Sequence, residues 1–201
     1  MSLVYQLMYL VGLRPWERGG IPAELAELVE GPGALAAGKA LDIGCGTGAP
    51  AVYLAAHGWD VTGIDVVERA LRAARARAAA AGVSPRFLRG DVSRLAELPA
   101  VGGGFGLLFD AGCFHGLDGP QRASFAKAIA QVAAPDAVLL MFALAPGGGA
   151  RPAAWRGASD EEIRAPFGAE WDLVEKRPDR GPSVLRGAAR HWYRLRRRPP
   201  G

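Results

Sequence analysis

The stretch Ala40-Leu-Asp-Ile-Gly-Cys-Gly-Thr-Gly48 decides the fold. It follows a short apolar run at 39–43, which reads as a strand. It precedes a helical pattern at 49–57, with Pro50 in the first turn and Gly58 as a stop. Glycines at 44, 46 and 48 permit a tight turn and let a ligand approach the backbone closely. The helix N-terminus beyond them adds a partial positive charge that suits a carboxylate or a phosphate.

The same strand–helix rhythm extends outward. Residues 60–64 read as a strand, 67–81 as a helix closed by Gly82, and 86–89 and 105–109 as two further strands. A helix at 120–133 leads to a strand at 137–144 with no polar residue, as suits a strand covered on both faces. Alternating strands and helices specify an α/β sheet, mostly parallel, with right-handed crossovers. After Leu144 the rhythm changes. A loop at 145–158 is rich in Gly, Pro and Ala, and Ser159-Asp-Glu-Glu162 forms a capping-box pattern before a short helix. Strands at 171–175 and 190–195 have no long helix between them, so they are expected to pair antiparallel at one edge. Before the glycine turn, 2–10 has a helical period and Pro22 opens a second helix that ends at Gly31-Pro-Gly33. The expectation is one domain over 1–201, with a helical cap at 1–37 and a flexible tail at 196–201.

Composition narrows the function classes. Half of the 201 residues are apolar, enough for a single core. Two cysteines make neither a disulfide framework nor a four-cysteine zinc site, and this predicts a reducing, cytoplasmic setting. No apolar run approaches the ~20 residues of a membrane helix. The apolar start at 1–13 lacks the basic opening and cleavage pattern of a signal peptide. The pI near 9.4 invites a nucleic-acid partner. However, Arg186, Arg190, Arg194, Arg196, Arg197 and Arg198 cluster near the end, and without them 18 basic residues face 20 acidic ones. The body is slightly acidic, so nucleic acid is not the expected partner. Exposed charge on the last strand is expected to guard a sheet edge.

Two cofactor classes compete for the glycine turn. Gly44-x-Gly46-x-x-Ala49 fits the dinucleotide fingerprint, and Asp65 follows Gly46 by 19 residues, where an acid would bind ribose hydroxyls. That geometry suits NAD or another adenosine-bearing cofactor. Asp42, two residues before the first glycine, favours a ligand with a positive amino group and repels a pyrophosphate. S-adenosylmethionine (SAM) carries an amino group and a sulfonium.

The motif order extends this. Leu41-Asp-Ile-Gly-Cys-Gly-Thr-Gly48, Val61-Thr-Gly-Ile-Asp65, Phe87-Leu-Arg-Gly-Asp91 and Phe105-Gly-Leu-Leu-Phe-Asp110 resemble the motifs of class I SAM-dependent methyltransferases. The resemblance covers about 38–145 and implies a Rossmann-like, seven-stranded, mostly parallel sheet with helices on both faces and an antiparallel strand pair at one edge. It implies that Asp42 and Gly44, with Cys45 and Gly46 of the same turn, line the methionine end of SAM. Asp65 and Val66 would sit at the ribose, and Asp91 and the Val92 backbone at the adenine. Asp110 would begin the loop facing the reacting centre. S-adenosylhomocysteine would be the product.

Arg14-Pro-Trp-Glu-Arg-Gly-Gly-Ile-Pro22 and Asp110-Ala-Gly-Cys-Phe-His-Gly-Leu117 are similar to segments of the thiopurine, thiol and halide methyltransferases and their small bacterial relatives. In that group the tryptophan lies by the cofactor, which implies the same for Trp16. An aromatic face attracts a sulfonium by roughly 0.5–2 kcal/mol. The chain departs from the group at Gly19-Gly20, where one glycine is usual. A core tryptophan is the competing role for Trp16.

Methyl transfer from SAM is an in-line displacement, so the enzyme mainly aligns and desolvates. A thiolate needs little base catalysis, whereas a hydroxyl or ammonium needs a base. His115, with Asp110, is the catalytic candidate, either as base or as a group orienting the substrate. Its competing role is a hydrogen bond to the loop backbone. Cys113 reads as a small buried hydrophobe. No cluster has metal spacing. The expected function is methyl transfer to a small molecule, first a thiol or other soft heteroatom. An O- or N-methyltransferase, an NAD-dependent oxidoreductase and a non-catalytic SAM- or RNA-binding protein are the alternatives. No membrane partner is expected, and no feature specifies an oligomer.

Overall fold

Seven strands form one sheet in the computed structural model, which describes residues 20–147, 156–181 and 189–199. The strands are β1 (Lys39–Ile43), β2 (Asp60–Asp65), β3 (Arg86–Arg89), β4 (Phe105–Asp110), β5 (Ala133–Leu144), β6 (Trp171–Pro178) and β7 (Arg190–Arg197). The order across the sheet is β3-β2-β1-β4-β5-β7-β6. Strands β1 to β5 run parallel, and β7 runs antiparallel to both β5 and β6.

Helices cover both faces. On one lie α1 (Ala23–Glu30), α2 (Ala49–Ala56) and α3 (Glu68–Ala80); on the other lie α4 (Gly119–Val132) and α5 (Asp160–Phe167). Alternation along the strands divides the core. Leu139, Met141 and Ala143 of β5 join Phe125, Ile129 and Phe167, whereas Val138, Leu140 and Phe142 turn towards Leu28 and Trp192. The helix starts follow local chemistry. Asp118 and Gln121 form a capping box for α4, and Ser159 and Glu162 form one for α5. Gly48 caps α2 in the left-handed region, and Glu68 opens α3 while Arg77 lies in its last turn, both favourable to the helix dipole.

Three expectations change. The last strand is not a sheet edge: β7 lies between β5 and β6, and β6 is the edge. Its arginines therefore pair inward across the ladder rather than guard against a neighbour. Arg194 pairs with Glu175, Arg190 with Asp179 and Arg197 with Glu170. Residues 196–198, expected to open a flexible tail, are also held in place. Arg196 and Arg197 belong to β7, and Arg198 donates to Asp172 at 2.8 Å and to the Gly168 carbonyl at 3.1 Å. Strand β5 begins at Ala133 rather than 137, directly after α4, and its pairing with β4 shifts register between Phe105 and Leu107. The expected helix at 2–10, Trp16 and residues 148–155 of the loop lie outside the described residues.

Candidate active site

Parallel strands β1 to β4 all end on one side of the sheet, where crevice ligands bind in open α/β folds. The glycine turn follows β1, and Asp65, Asp91 and Asp110 follow or close β2, β3 and β4. The topology thus brings the sequence-selected residues of 42–115 to one edge.

Within the turn, Gly44, Gly46 and Gly48 adopt φ of 68°, 53° and 74°, which only glycine holds without strain. At Gly44 space is also decisive, because a Cβ would lie 2.1 Å from the Cys113 sulfur. Cys113 itself points its thiol at the Ile43 carbonyl, 3.6 Å away. Burial pushes the thiols of both Cys113 and Cys45 well up, so both stay protonated and act as packing groups.

The three acids of the turn region do different things. Asp65 braces the turn: one oxygen accepts from Gly46 N–H at 2.9 Å and the other from Val67 N–H at 2.8 Å. Val66, between them, is half-buried. Asp42 is 2% exposed, takes a backbone hydrogen bond from Ala51, and keeps its Oδ2 without a hydrogen-bond partner. Burial, followed by repulsion from Asp65, pushes its carboxyl up to about 8. A buried carboxylate oxygen with no donor beside a glycine turn is suited to a cationic or N–H-bearing ligand. Asp91 is exposed and caps the turn at Val92–Glu97 by accepting from Ser93 N–H at 2.9 Å; Val92 is buried.

Asp110 is completely buried and holds the loop after β4 together. Its oxygens accept from the N–H groups of Gly112 at 2.7 Å, Cys113 at 2.6 Å and Phe114 at 2.9 Å. Burial raises its carboxyl to about 6, against the lowering effect of those three donors. The bonds make Asp110 the organiser of the loop that carries His115. His115 is 5% exposed and packs edge-on against Phe142, whose ring in turn meets Trp192 at 5.3 Å. Gly112, at φ 122°, lets the imidazole lie close, since a Cβ there would be 2.9 Å from its Cε1.

Sequence reasoning passes over two residues of this region. Arg77 reaches from α3 to the Thr47 carbonyl at 3.0 Å, supporting the turn from outside. Arg122 is buried at 3% exposure. The signal for Arg122 is its spacing: with Phe125, Ala126 and Ile129 it lies on the apolar stripe of α4. Among the described residues, no group of three or more His, Cys, Asp or Glu is placed to hold a metal, and no helix is long and apolar enough to cross a membrane.

A family profile described as a methyltransferase domain matches residues 40–136. The chain is 32% identical over 130 residues to a 2-heptyl-1-hydroxyquinolin-4(1H)-one methyltransferase of Mycobacteroides abscessus, a match over 64% of this chain and 56% of that enzyme's length. It is 30% identical over 176 residues to thiocyanate methyltransferase 1 of Brassica oleracea, over 83% of this chain and 74% of that one. Among solved structures, the Burkholderia thailandensis 1,6-didemethyltoxoflavin-N1-methyltransferase, with bound S-adenosylhomocysteine, aligns with a TM-score of 0.77 at 20% identity, over 98% of this chain and 86% of that chain. The plant relative matches well beyond the glycine turn and the solved enzyme shares the sheet, so the turn, the acids that follow it and the antiparallel β7 have one common explanation. The chain belongs to the class I SAM-dependent methyltransferases, enzymes whose methyl donor is S-adenosylmethionine.

Proposed function

We propose that this chain methylates a small molecule at a soft heteroatom, first a thiol. One observation carries the choice of acceptor: the thiocyanate methyltransferase matches 83% of the chain against 64% for the quinolone enzyme. Thiocyanate is a soft anion that attacks without losing a proton.

In this reading the cofactor lies along the C-terminal edge of the sheet. Asp42 takes the amino group with its unpartnered oxygen, and the backbone of Gly44, Cys45 and Gly46 follows the methionine chain. Asp65 and Val66 serve the ribose, and Asp91 and Val92 the adenine. The resemblance assigns the sulfonium to Trp16, which lies outside the described residues. When bound, SAM supplies a methyl group already activated on sulfur. The protein's work is alignment and exclusion of water. Asp110 moves no proton, because three backbone donors occupy it; it fixes the loop on which His115 stands. His115 orients the acceptor. For a hydroxyl or amine acceptor it takes the proton, and the quinolone relative favours this second reading.

Calorimetry with SAM and with NAD tests the cofactor, with SAM binding and NAD silence expected. Asp65→Ala should weaken SAM binding far more than His115→Ala; the opposite ranking means the cofactor lies elsewhere. Methyl transfer to a panel of thiols, phenols and amines tests the acceptor. Thiol transfer that survives His115→Ala supports the first reading, and phenol or amine transfer that depends on His115 supports the second.

A further inference from the structure

Arg122 is a buried cation in an otherwise apolar layer, and its contacts join segments far apart in sequence. One Nη2 donates to the Gly157 carbonyl at 2.6 Å and to the His115 carbonyl at 3.4 Å. Nη1 pairs with Glu162 at 2.7 Å, the residue that closes the capping box of α5. The guanidinium lies 5.4 Å from the centre of the Phe114 ring. Its Nε has no partner.

Burying a guanidinium is costly, and an apolar residue of similar volume is often as stable or more so. Stability alone therefore does not account for it. Its geometry does: a planar fork can hold two carbonyls and a carboxylate at fixed angles, which a lysine cannot. The two carbonyls belong to the loop after β4 and to the returning end of the segment after β5. That end is pinned at its base, with Ala158 N–H on the Leu144 carbonyl at 2.8 Å. Gly157 at φ 81° passes so close that a Cβ would lie 2.5 Å from the Ala145 oxygen.

We propose that Arg122 is a positioning residue that locks the His115 loop to the base of the segment after β5, so that both act as one rigid wall on the acceptor side of the site. This assignment rests on the methyltransferase reading only for the word acceptor; the lock itself is a property of the fold. Arg122 touches neither the glycine turn nor Asp42 or Asp65. Its loss should therefore separate cofactor binding from acceptor turnover.

Hydrogen exchange of the full chain with bound S-adenosylhomocysteine tests this, together with calorimetry using the same ligand. In Arg122→Met, amides 112–117 and 157–159 should exchange at least tenfold faster, while those of β1, β2 and the glycine turn keep their protection. The affinity for S-adenosylhomocysteine should stay within twofold. Arg122→Lys should restore the Glu162 pair but not the fork, giving intermediate exchange. Glu162→Gln, which keeps an oxygen for the Ser159 N–H, should loosen 157–159 and leave 112–117 protected. Thiophenol turnover should fall tenfold or more in kcat with the KM for SAM unchanged, and an unchanged kcat overturns the role on the acceptor side. Equal protection of both segments in wild type and Arg122→Met overturns the proposal, as does a loss of cofactor affinity that parallels the loosening. Failure of the wild-type chain to bind S-adenosylhomocysteine overturns the functional reading instead, and the exchange comparison without ligand still decides the lock.

Discussion

At the scale of single residues, Asp42 concentrates the chemistry of the turn. Its buried carboxyl sits near 8, because desolvation and the neighbouring Asp65 disfavour its charge. Between its ordinary value of 3.8 and about 8 the folded chain holds a proton that the unfolded chain has released. Its contribution to stability therefore falls as pH rises through that window. A cationic ligand group acts in the opposite sense by drawing the carboxyl into its charged form. S-adenosylhomocysteine affinity is expected to rise from pH 6 to pH 8, by up to about tenfold per pH unit, with proton release on binding. Titration calorimetry in buffers of different ionisation enthalpy measures that release, and Asp42→Asn should abolish it. Affinity unchanged over this range would separate Asp42 from the ligand. Gly44 gives a steric test. Gly44→Ala meets the Cys113 sulfur and a left-handed backbone together, so cofactor binding should fall at least tenfold. Cys113→Ala removes only the first obstacle and should not rescue it.

At the scale of elements, α5 depends on its cap. Ser159→Ala removes the acceptor for Glu162 N–H and should cost about 1 kcal/mol in chemical denaturation. A change below a few tenths would mean that packing of Ile163 and Phe167 alone fixes the helix. The same helix shows why some elements were readable. Ser159-x-x-Glu162, Asp118-x-x-Gln121 and the glycine turn are local signals whose partners lie within a few residues, so the sequence displays them directly. The parallel strands 39–43, 60–64, 86–89 and 105–109 were equally legible, because apolar runs between glycine stops have one economical use. The place of β7 was not. Its neighbours are chosen by tertiary pairing with β5, some fifty residues earlier, and no local pattern encodes that. Asp110 illustrates the limit within the site. Its position at a strand end was visible, but its commitment to three backbone donors depends on how the loop folds back. Arg122 lies on an apolar stripe, a signal that the sequence reading passed over.

At the scale of the whole molecule, the basic end of the chain is part of the sheet. Arg190, Arg194, Arg197 and Arg198 meet Asp179, Glu175, Glu170 and Asp172. Most are partly exposed, and exposed pairs add little individually. The strand backbone matters more. Removing residues 196–201 should lower Tm by several degrees, since ~1 kcal/mol is worth about 2–4 °C at this size. An unchanged Tm would mean that β7 is complete at Leu195. Arg196 pairs with Asp136, so five of the six clustered arginines meet an acid; Arg186 lies outside the described residues.

The place of β7 also makes two strands depend on one. Strand β6 precedes β7 in sequence, yet among the described residues its partner in the sheet is β7, and β7 in turn pairs along β5. In any state in which β7 has not docked, β6 would lack that partner, and the alternating face that holds Trp171 and Leu173 would be left uncovered. Such an unpaired strand invites pairing with another chain. Docking of β7 between β5 and β6 satisfies both of their facing edges together.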